Sequence, residues 1–194
     1  MIHQFESNDK SFIPVCKKVL FLDFDGVVNS HESFHLNHLA RTEERELRGE
    51  GAEFAPQFCF PMGHLHPPLI QRLNKIIEQT DCHIVVSSAW RIGHTTEQLA
   101  EWLTKKGFRF GSKIIDRTGQ NSKDARGGEI QDWLDEHPEV TQYVILDDDS
   151  ADIVGDYTTK KHPNNFVHTD GMWGLQDAGV EQAIKILNKT LDAK

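Results

Sequence analysis

Cysteine and long apolar runs are both scarce in this sequence. Its 194 residues include three cysteines, Cys16, Cys59 and Cys82, an odd number without the paired spacing of a disulfide framework or a zinc site. Free thiols of this kind are typical of a reducing compartment, so we expect a cytoplasmic protein. No apolar stretch approaches the roughly 20 residues needed to cross a bilayer, and residues 1–10 are too polar for a secretory signal. The sequence therefore predicts a soluble protein with no membrane partner.

Positive charge is also in short supply. The chain has 21 Lys and Arg against 30 Asp and Glu, a net charge of −9. Because binding to duplex nucleic acid depends mainly on clustered Lys and Arg, we expect no extended duplex interface. A phosphorylated small molecule or a nucleic-acid strand end remains compatible with this charge, and a divalent cation could offset acids gathered at one site. The length predicts one domain, 1–194, and leaves the oligomeric state open.

Two carboxylates follow the first apolar run of the chain. Residues 19–22 (VLFL) lack polar alternation, which indicates a strand buried on both faces of a parallel sheet. Asp23 then lies at the carboxyl end of that strand, and Asp25 projects to the same side. Gly26 permits a sharp turn at the edge where open α/β sheets bind ligands. Two acids placed there cost free energy unless a metal or partner meets them, so the motif indicates a phosphoryl-transfer site.

Apolar runs and helical periodicity alternate along the rest of the chain. Residues 83–86 precede Ser87 and Ser88, and residues 143–146 precede the acids that begin at Asp147. This alternation predicts an α/β fold of three layers, a Rossmann-like, mainly parallel sheet with helices on both faces. The predicted helices cover 67–79, 95–106, 129–136 and 179–187, with Thr95 and Gln98 as a capping box, and further strands cover 113–116 and 165–168.

The segment 30–66 breaks this alternation. Its 31–51 portion is strongly charged, and glycines and prolines punctuate the remainder. We expect an insertion after the first strand that forms a small cap or lid over the crevice, where it would exclude water and contact the substrate. A surface loop with no catalytic part is the alternative.

The ordered set of motifs resembles the haloacid dehalogenase (HAD) superfamily of phosphohydrolases. The set consists of the Asp23 motif, the Ser87 motif, a basic residue and the Asp147 motif, and it spans about 18–152. Within the superfamily, DFDGVVNS, VVSSAWR, RGGEIQDWL and VILDDD are most similar to small HAD domains found alone or attached to nucleic-acid repair proteins.

The resemblance implies a catalytic role for the first two motifs. Asp23 matches the nucleophile that forms an aspartyl phosphate, and Asp25 matches the general acid and base. Superfamily members that cleave carbon–halogen bonds lack an acid at the second position, so dehalogenation is not expected. Ser87 matches the hydroxyl that hydrogen-bonds the transferring phosphoryl group, and Ser88 would contribute through its backbone.

A basic residue is implied as well, to neutralise phosphate charge in the transition state. The superfamily usually has a lysine there. In this chain Arg126 aligns best, and Lys123 is the alternative. Arg91, four residues after Ser87, could clamp a substrate phosphate through two N–H groups, or could be an ordinary surface arginine.

Magnesium is the cofactor that the resemblance implies. Its ligands would be the Asp23 carboxylate, the backbone carbonyl of Asp25 and one acid after the third motif strand. The family pattern favours Asp148 for that acid, with Asp147 in support. Asp149 and Asp152 are the alternatives, and the run of three acids leaves the register uncertain by one residue.

The leading functional hypothesis is a Mg²⁺-dependent phosphomonoesterase with an aspartyl-phosphate intermediate, acting on nucleotides or nucleic-acid terminal phosphates. A phosphatase or phosphotransferase of small metabolites such as sugar phosphates is the alternative. A non-catalytic phosphate-binding module is a third possibility. Degenerate modules usually lose the nucleophile or the acid, whereas this chain has both Asp23 and Asp25.

Overall fold

The computed structural model describes residues 17–48, 65–120 and 124–189. Within these ranges, five strands form one sheet in the order β3-β2-β1-β4-β5, and every pairing is parallel. The strands are β1 Lys18–Leu22, β2 His83–Val86, β3 Ile114–Arg117, β4 Gln142–Asp147 and β5 Phe166–His168.

The register of the three central strands places the polar residues at their carboxyl ends side by side. Leu22 on β1 is level with its neighbours on β2 and β4. Pairing continues past Leu22, because the backbone N–H of Ser87 donates to its carbonyl and the N–H of Asp23 donates to β4. Asp23, Ser87 and Asp147 therefore lie next to one another at the carboxyl edge of the sheet.

Two helical layers cover the sheet because strand side chains alternate between its faces. Leu20 and Leu22 belong to one buried cluster with residues of α2, α3 and α6, whereas Val19 and Phe21 belong to a second cluster with residues of α4 and α5. The predicted three-layer α/β fold is thus confirmed. The α-helices among the described residues are α1 His31–Leu47, α2 Pro67–Thr80, α3 Thr96–Lys105, α4 Arg126–Glu136, α5 Ser150–Ile153 and α6 Asp177–Leu187.

Local sequence signals explain where the predicted helices begin and end. Two prolines start α2, where a missing backbone N–H costs nothing, and its buried positions recur at helical spacing. The predicted capping box of Thr95 and Gln98 is present at the start of α3 and is worth about 1 kcal/mol. The predicted α4 began at residue 129, but the helix starts at Arg126.

Part of the predicted insertion is helical. α1 occupies its first half, a helix that the sequence did not predict because few large apolar residues mark a buried face. Residues 49–64 lie outside the described residues, so the lid stays a prediction, as does the single-domain extent of 1–194. Cys82 is a buried free thiol, and Cys16 and Cys59 also lie outside the described ranges. No helix in the described part of the chain combines the length and apolarity that crossing a membrane would require.

Candidate active site

Three carboxylates meet at the carboxyl edge of the sheet. Asp23 directly follows β1, Asp147 ends β4 and Asp148 comes next, and one oxygen of each lies within 4.8 Å of the others. Asp147 is fully buried, Asp23 is 4% exposed, and Asp148 is partly exposed. Because like charges at this separation repel strongly in a buried setting, the cluster requires positive charge beside it.

Arg126 supplies part of that positive charge. Its Nη1 lies 3.0 Å from Asp23 Oδ1 and 2.7 Å from Asp147 Oδ2, so one guanidinium bridges both carboxylates. Burial alone would lower the pKa of Arg126, but the two carboxylates raise it, and the side chain stays protonated. Arg126 is the residue that the sequence favoured as the basic group of the site. The alternative, Lys123, lies outside the described residues.

One guanidinium does not balance the whole cluster. Burial raises the pKa of Asp23 to about 7, repulsion from Asp147 adds to the rise, and Arg126 opposes it. Burial also raises the pKa of Asp147 against the effect of Arg126, and burial together with Asp147 raises the pKa of Asp148. Three oxygen donors with this surplus of negative charge fit Mg²⁺, which prefers hard oxygen ligands.

Asp25 lies in the turn after β1, with both carboxylate oxygens hydrogen-bonded. Asn29 Nδ2 donates to Oδ1 and Trp90 Nε1 donates to Oδ2, each at 2.8 Å. Asn29 also accepts from the backbone N–H of Gly26, which has the left-handed φ of +68° that favours glycine. These bonds fix the carboxyl group while each oxygen keeps a lone pair. The sequence did not identify Asn29 or Trp90, although an indole N–H beside a buried core needs an acceptor.

The hydroxyls of the two serines after β2 differ in their contacts. The Ser87 hydroxyl is buried at the same edge as Asp23 and has no hydrogen-bond partner among the described residues. An unpaired buried hydroxyl costs about 1–3 kcal/mol, which a phosphoryl oxygen would offset. The Ser88 hydroxyl accepts from the backbone N–H of Trp90, and its interaction with the Asp23 carboxyl opposes the rise in the pKa of that carboxyl. The Ser88 side chain therefore faces Asp23, and the contribution of its backbone stays a prediction.

Two glycines leave the space that the Asp148 carboxylate occupies. A Cβ at Gly26 would lie 2.3 Å from Asp148 Oδ2, and a Cβ at Gly171 would lie 2.6 Å from the same atom. The Asp148 carbonyl is within 3.0 Å of His168 Nε2. The carboxylate thus fits between the turn after β1 and the loop after β5 only because both contacts are made by glycine.

Gly171→Ala is expected to displace the Asp148 carboxylate and to weaken Mg²⁺ binding about tenfold or more, measured by calorimetry. The backbone at this residue is not in the left-handed region, so the added methyl acts on Asp148 and not on backbone strain. Gly119→Ala is the matched control, because a Cβ there meets nothing within 4 Å. Wild-type affinity in the Gly171→Ala protein would contradict the claim that Mg²⁺ binding depends on the observed position of the Asp148 carboxylate.

The prediction that Arg91 clamps a substrate phosphate is corrected. Arg91 is 4% exposed, and all five of its N–H donors face protein acceptors, which leaves none for a ligand. Its strongest contact is an ion pair of 2.5 Å with Glu129 on α4. The other acceptors are the carbonyls of Ser87, Ser88, Thr118 and Gly119. Arg91 therefore links the backbone after β2 to α4 and contributes to the structure that supports the site.

The acids after Asp148 have other partners. Asp149 is the N-cap of α5, and its Oδ1 accepts from the backbone N–H groups of Ala151 and Asp152. Neither Asp149 nor Asp152 belongs to the carboxylate cluster found among the described residues. The geometry favours Asp147 and Asp148 as metal ligands over these two alternatives.

A parallel α/β sheet with a carboxylate cluster at its carboxyl edge is the architecture that the HAD resemblance implied. A family model described as "HAD domain in Swiss Army Knife RNA repair proteins" matches residues 19–180, most of the chain. The chain belongs to this family of the HAD superfamily, which confirms the resemblance. Neither the curated proteins nor the solved structures contain a significant match.

Proposed function

We propose that this protein is a Mg²⁺-dependent phosphomonoesterase that removes terminal phosphates from nucleic-acid strands. The observation that carries the proposal is the cluster of Asp23, Asp147 and Asp148 with Arg126 bridging two of its members. Membership in a family of HAD domains from RNA repair proteins supports phosphatase-type or kinase-like chemistry at nucleic-acid ends.

In the first step, a carboxylate oxygen of Asp23 attacks phosphorus and the bond from phosphorus to the leaving oxygen breaks. Asp25 donates its proton to that oxygen, so the strand leaves with a hydroxyl. Asn29 and Trp90 hold the Asp25 carboxyl in a fixed orientation. The product on the protein is an aspartyl phosphate at Asp23.

Arg126 and Ser87 stabilise the transferring group. The Arg126 guanidinium lies 3.0 Å from Asp23, where negative charge on the phosphoryl oxygens develops. The Ser87 hydroxyl, which has no partner among the described residues, donates to one phosphoryl oxygen. Asp23 and Asp147 hold the Arg126 guanidinium in place before substrate binds, and the Ser87 side chain is buried at the same edge of the sheet, so little reorganisation is needed at the moment of reaction.

In the second step, water attacks the phosphorus of the aspartyl phosphate. Asp25, now a carboxylate, takes the proton from this water, and the bond between Asp23 and phosphorus breaks. Inorganic phosphate leaves, Asp23 is again a carboxylate and Asp25 is again protonated. The cycle therefore consumes one water for each phosphomonoester.

Asp23, Asp148 and the backbone carbonyl of Asp25 would hold the Mg²⁺, with Asp147 in support. Bound there, the ion would supply positive charge that offsets the phosphoryl oxygens. The surplus of carboxylates over guanidinium in the cluster supports this assignment.

We extend the proposal to the segment 30–66, which would act as a lid in a single domain of 1–194. Support comes from the start of α1, where the backbone N–H groups of His31 and Glu32 donate to Gly171 and Met172. Gly171 is one of the two glycines beside Asp148, so the segment 30–66 begins next to the carboxylate cluster. The cytoplasmic location expected from the cysteine content stays a prediction.

The test is a kinetic panel with Mg²⁺ or EDTA. We expect single-stranded oligonucleotides with a 3′ or 5′ terminal phosphate to give the highest kcat/KM, mononucleotides less and sugar phosphates least, with all turnover lost in EDTA. Equal or higher kcat/KM on sugar phosphates would favour the metabolite phosphatase instead. Transfer to an added alcohol would identify a phosphotransferase, and no turnover in Mg²⁺ would contradict catalysis altogether.

A further inference from the structure

A cavity with polar residues in its walls lies beside Arg91, outside the carboxylate cluster. Its volume is about 490 Å³, within the range of small-molecule binding sites. Residues 93–95 after β2 and residues 116–120 at the end of β3 form its walls together with Arg91. None of the catalytic steps described above uses this cavity.

The cavity adjoins the candidate active site through one side chain. Arg91 lines the cavity and donates to the carbonyls of Ser87 and Ser88. The hydroxyl of Ser88 in turn interacts with the Asp23 carboxyl, whose negative charge acts on the Arg91 guanidinium. The cavity and the candidate active site therefore share the Arg91 side chain as a common wall.

Two residues of the cavity have unused hydrogen-bonding groups. Arg117 is exposed, and its Nη1 donates to the carbonyls of Arg91 and His94, which fixes the guanidinium at the cavity. Its Nε and Nη2 make no hydrogen bond within the described residues, and Glu97 is the carboxylate whose charge interacts with this guanidinium. Thr118 is 3% exposed, and its hydroxyl is buried and unpaired within the same part of the chain. Both features point to an anionic, oxygen-rich ligand.

The charge of the walls agrees with such a ligand. Asp116 is the acid of the cavity, and its Oδ2 accepts from Trp133 Nε1. Arg91 is paired with Glu129, so the guanidinium of Arg117 is the cation with donors to spare. The chain as a whole is negatively charged, with a net charge of −9, whereas Arg117 places a positive charge at this cavity beside the unpaired hydroxyl of Thr118.

We propose that this cavity binds a phosphodiester of the strand whose terminal phosphate lies at Asp23. The inference rests on the proposed function and adds to it the residues that distinguish a strand from a mononucleotide or a sugar phosphate. Arg117 donates two charge-assisted hydrogen bonds to the phosphodiester, and the Thr118 hydroxyl gains the partner that it lacks. A substrate without a second phosphate makes neither contact.

The test compares a mononucleotide with a tetranucleotide that carries the same terminal phosphate. For the wild type we expect KM to be about tenfold lower for the tetranucleotide. Arg117→Gln should raise the KM of the tetranucleotide about tenfold, leave its kcat unchanged and leave both constants unchanged for the mononucleotide. Because this variant neutralises one phosphate fewer, the dependence of log KM on log salt should become shallower by about 0.7.

Thr118→Val gives a second readout that a purely structural role would not produce. Replacing an unpaired buried hydroxyl with a methyl group should raise Tm while raising the KM of the tetranucleotide. Lys185→Gln is the matched control for charge, because Lys185 lines a different cavity with Gln142 at the amino end of β4. It should change neither constant.

Two outcomes separate this inference from the proposed function. Equal KM values for both lengths in the wild type, or an equal rise in both KM values in Arg117→Gln, would overturn the phosphodiester site and leave the phosphatase intact. A wild type that releases phosphate from neither substrate would overturn the proposed function, and the phosphodiester site with it.

Discussion

Replacing Asp23 with Asn is expected to lower kcat on an aryl phosphate in Mg²⁺ by about 10³-fold or more. The amide cannot form the aspartyl phosphate, and an aryl leaving group reports turnover without depending on strand binding. Asp132→Asn is the matched control, because Asp132 is exposed on α4 and loses the same charge. Turnover of Asp23→Asn within a few-fold of the wild type would show that another group attacks phosphorus.

The Tm of Asp23→Asn shows whether the variant folds, and its dependence on pH tests the raised pKa of Asp23. Burial and Asp147 raise the pKa of Asp23 from 3.8 to about 7. The stability contributed by the protonated carboxyl is present below pH 3.8 and is lost as the pH rises through about 7. Because Asn cannot ionise, the Tm of Asp23→Asn minus that of the wild type should increase across this window in EDTA. A constant difference would contradict the raised pKa.

Replacing Arg126 with Leu is expected to lower kcat by about 10² to 10³-fold. The variant loses the guanidinium that bridges Asp23 and Asp147, and with it the positive charge beside the transferring group. Arg126→Lys should retain more activity than Arg126→Leu, because a lysine occupies this position in most of the superfamily. The measurement is kcat on the best substrate at saturating Mg²⁺.

Arg109→Leu is the matched control for Arg126→Leu. Arg109 is about half exposed and pairs with Glu78 on the surface, so its loss removes an ion pair without touching the cluster. We expect its kcat to equal that of the wild type. A kcat for Arg126→Leu that is also close to the wild-type value would mean that Arg126 only balances the carboxylates and does not stabilise the transferring group.

The sequence was sufficient to predict where the candidate site lies. The apolar runs before Asp23, Ser87 and Asp147 are continuous, which is the pattern of parallel strands buried on both faces. The carboxyl ends of such strands meet at one edge, so residues far apart in the chain were expected together. The structure places all three at that edge, with Arg126 beside two of them.

Other features depend on contacts that no local pattern encodes. The role of Arg91 follows from Glu129, 38 residues away, and from four carbonyls that the fold brings around it. The consecutive acids Asp147, Asp148 and Asp149 are equivalent in sequence, and only the backbone after β4 makes the third of them a helix cap. α5 has four residues, too few for helical periodicity to appear.

The most direct test of the central claim is to locate the phosphoryl group on the protein. Asp25→Asn should still react once with an aryl phosphate, whose leaving group needs little protonation, but should release phosphate slowly because no base activates water. Rapid acid quench and peptide mass spectrometry are expected to find about one phosphoryl group per chain, attached to Asp23. A stoichiometric burst of aryl alcohol with Asp23 unmodified would contradict the account.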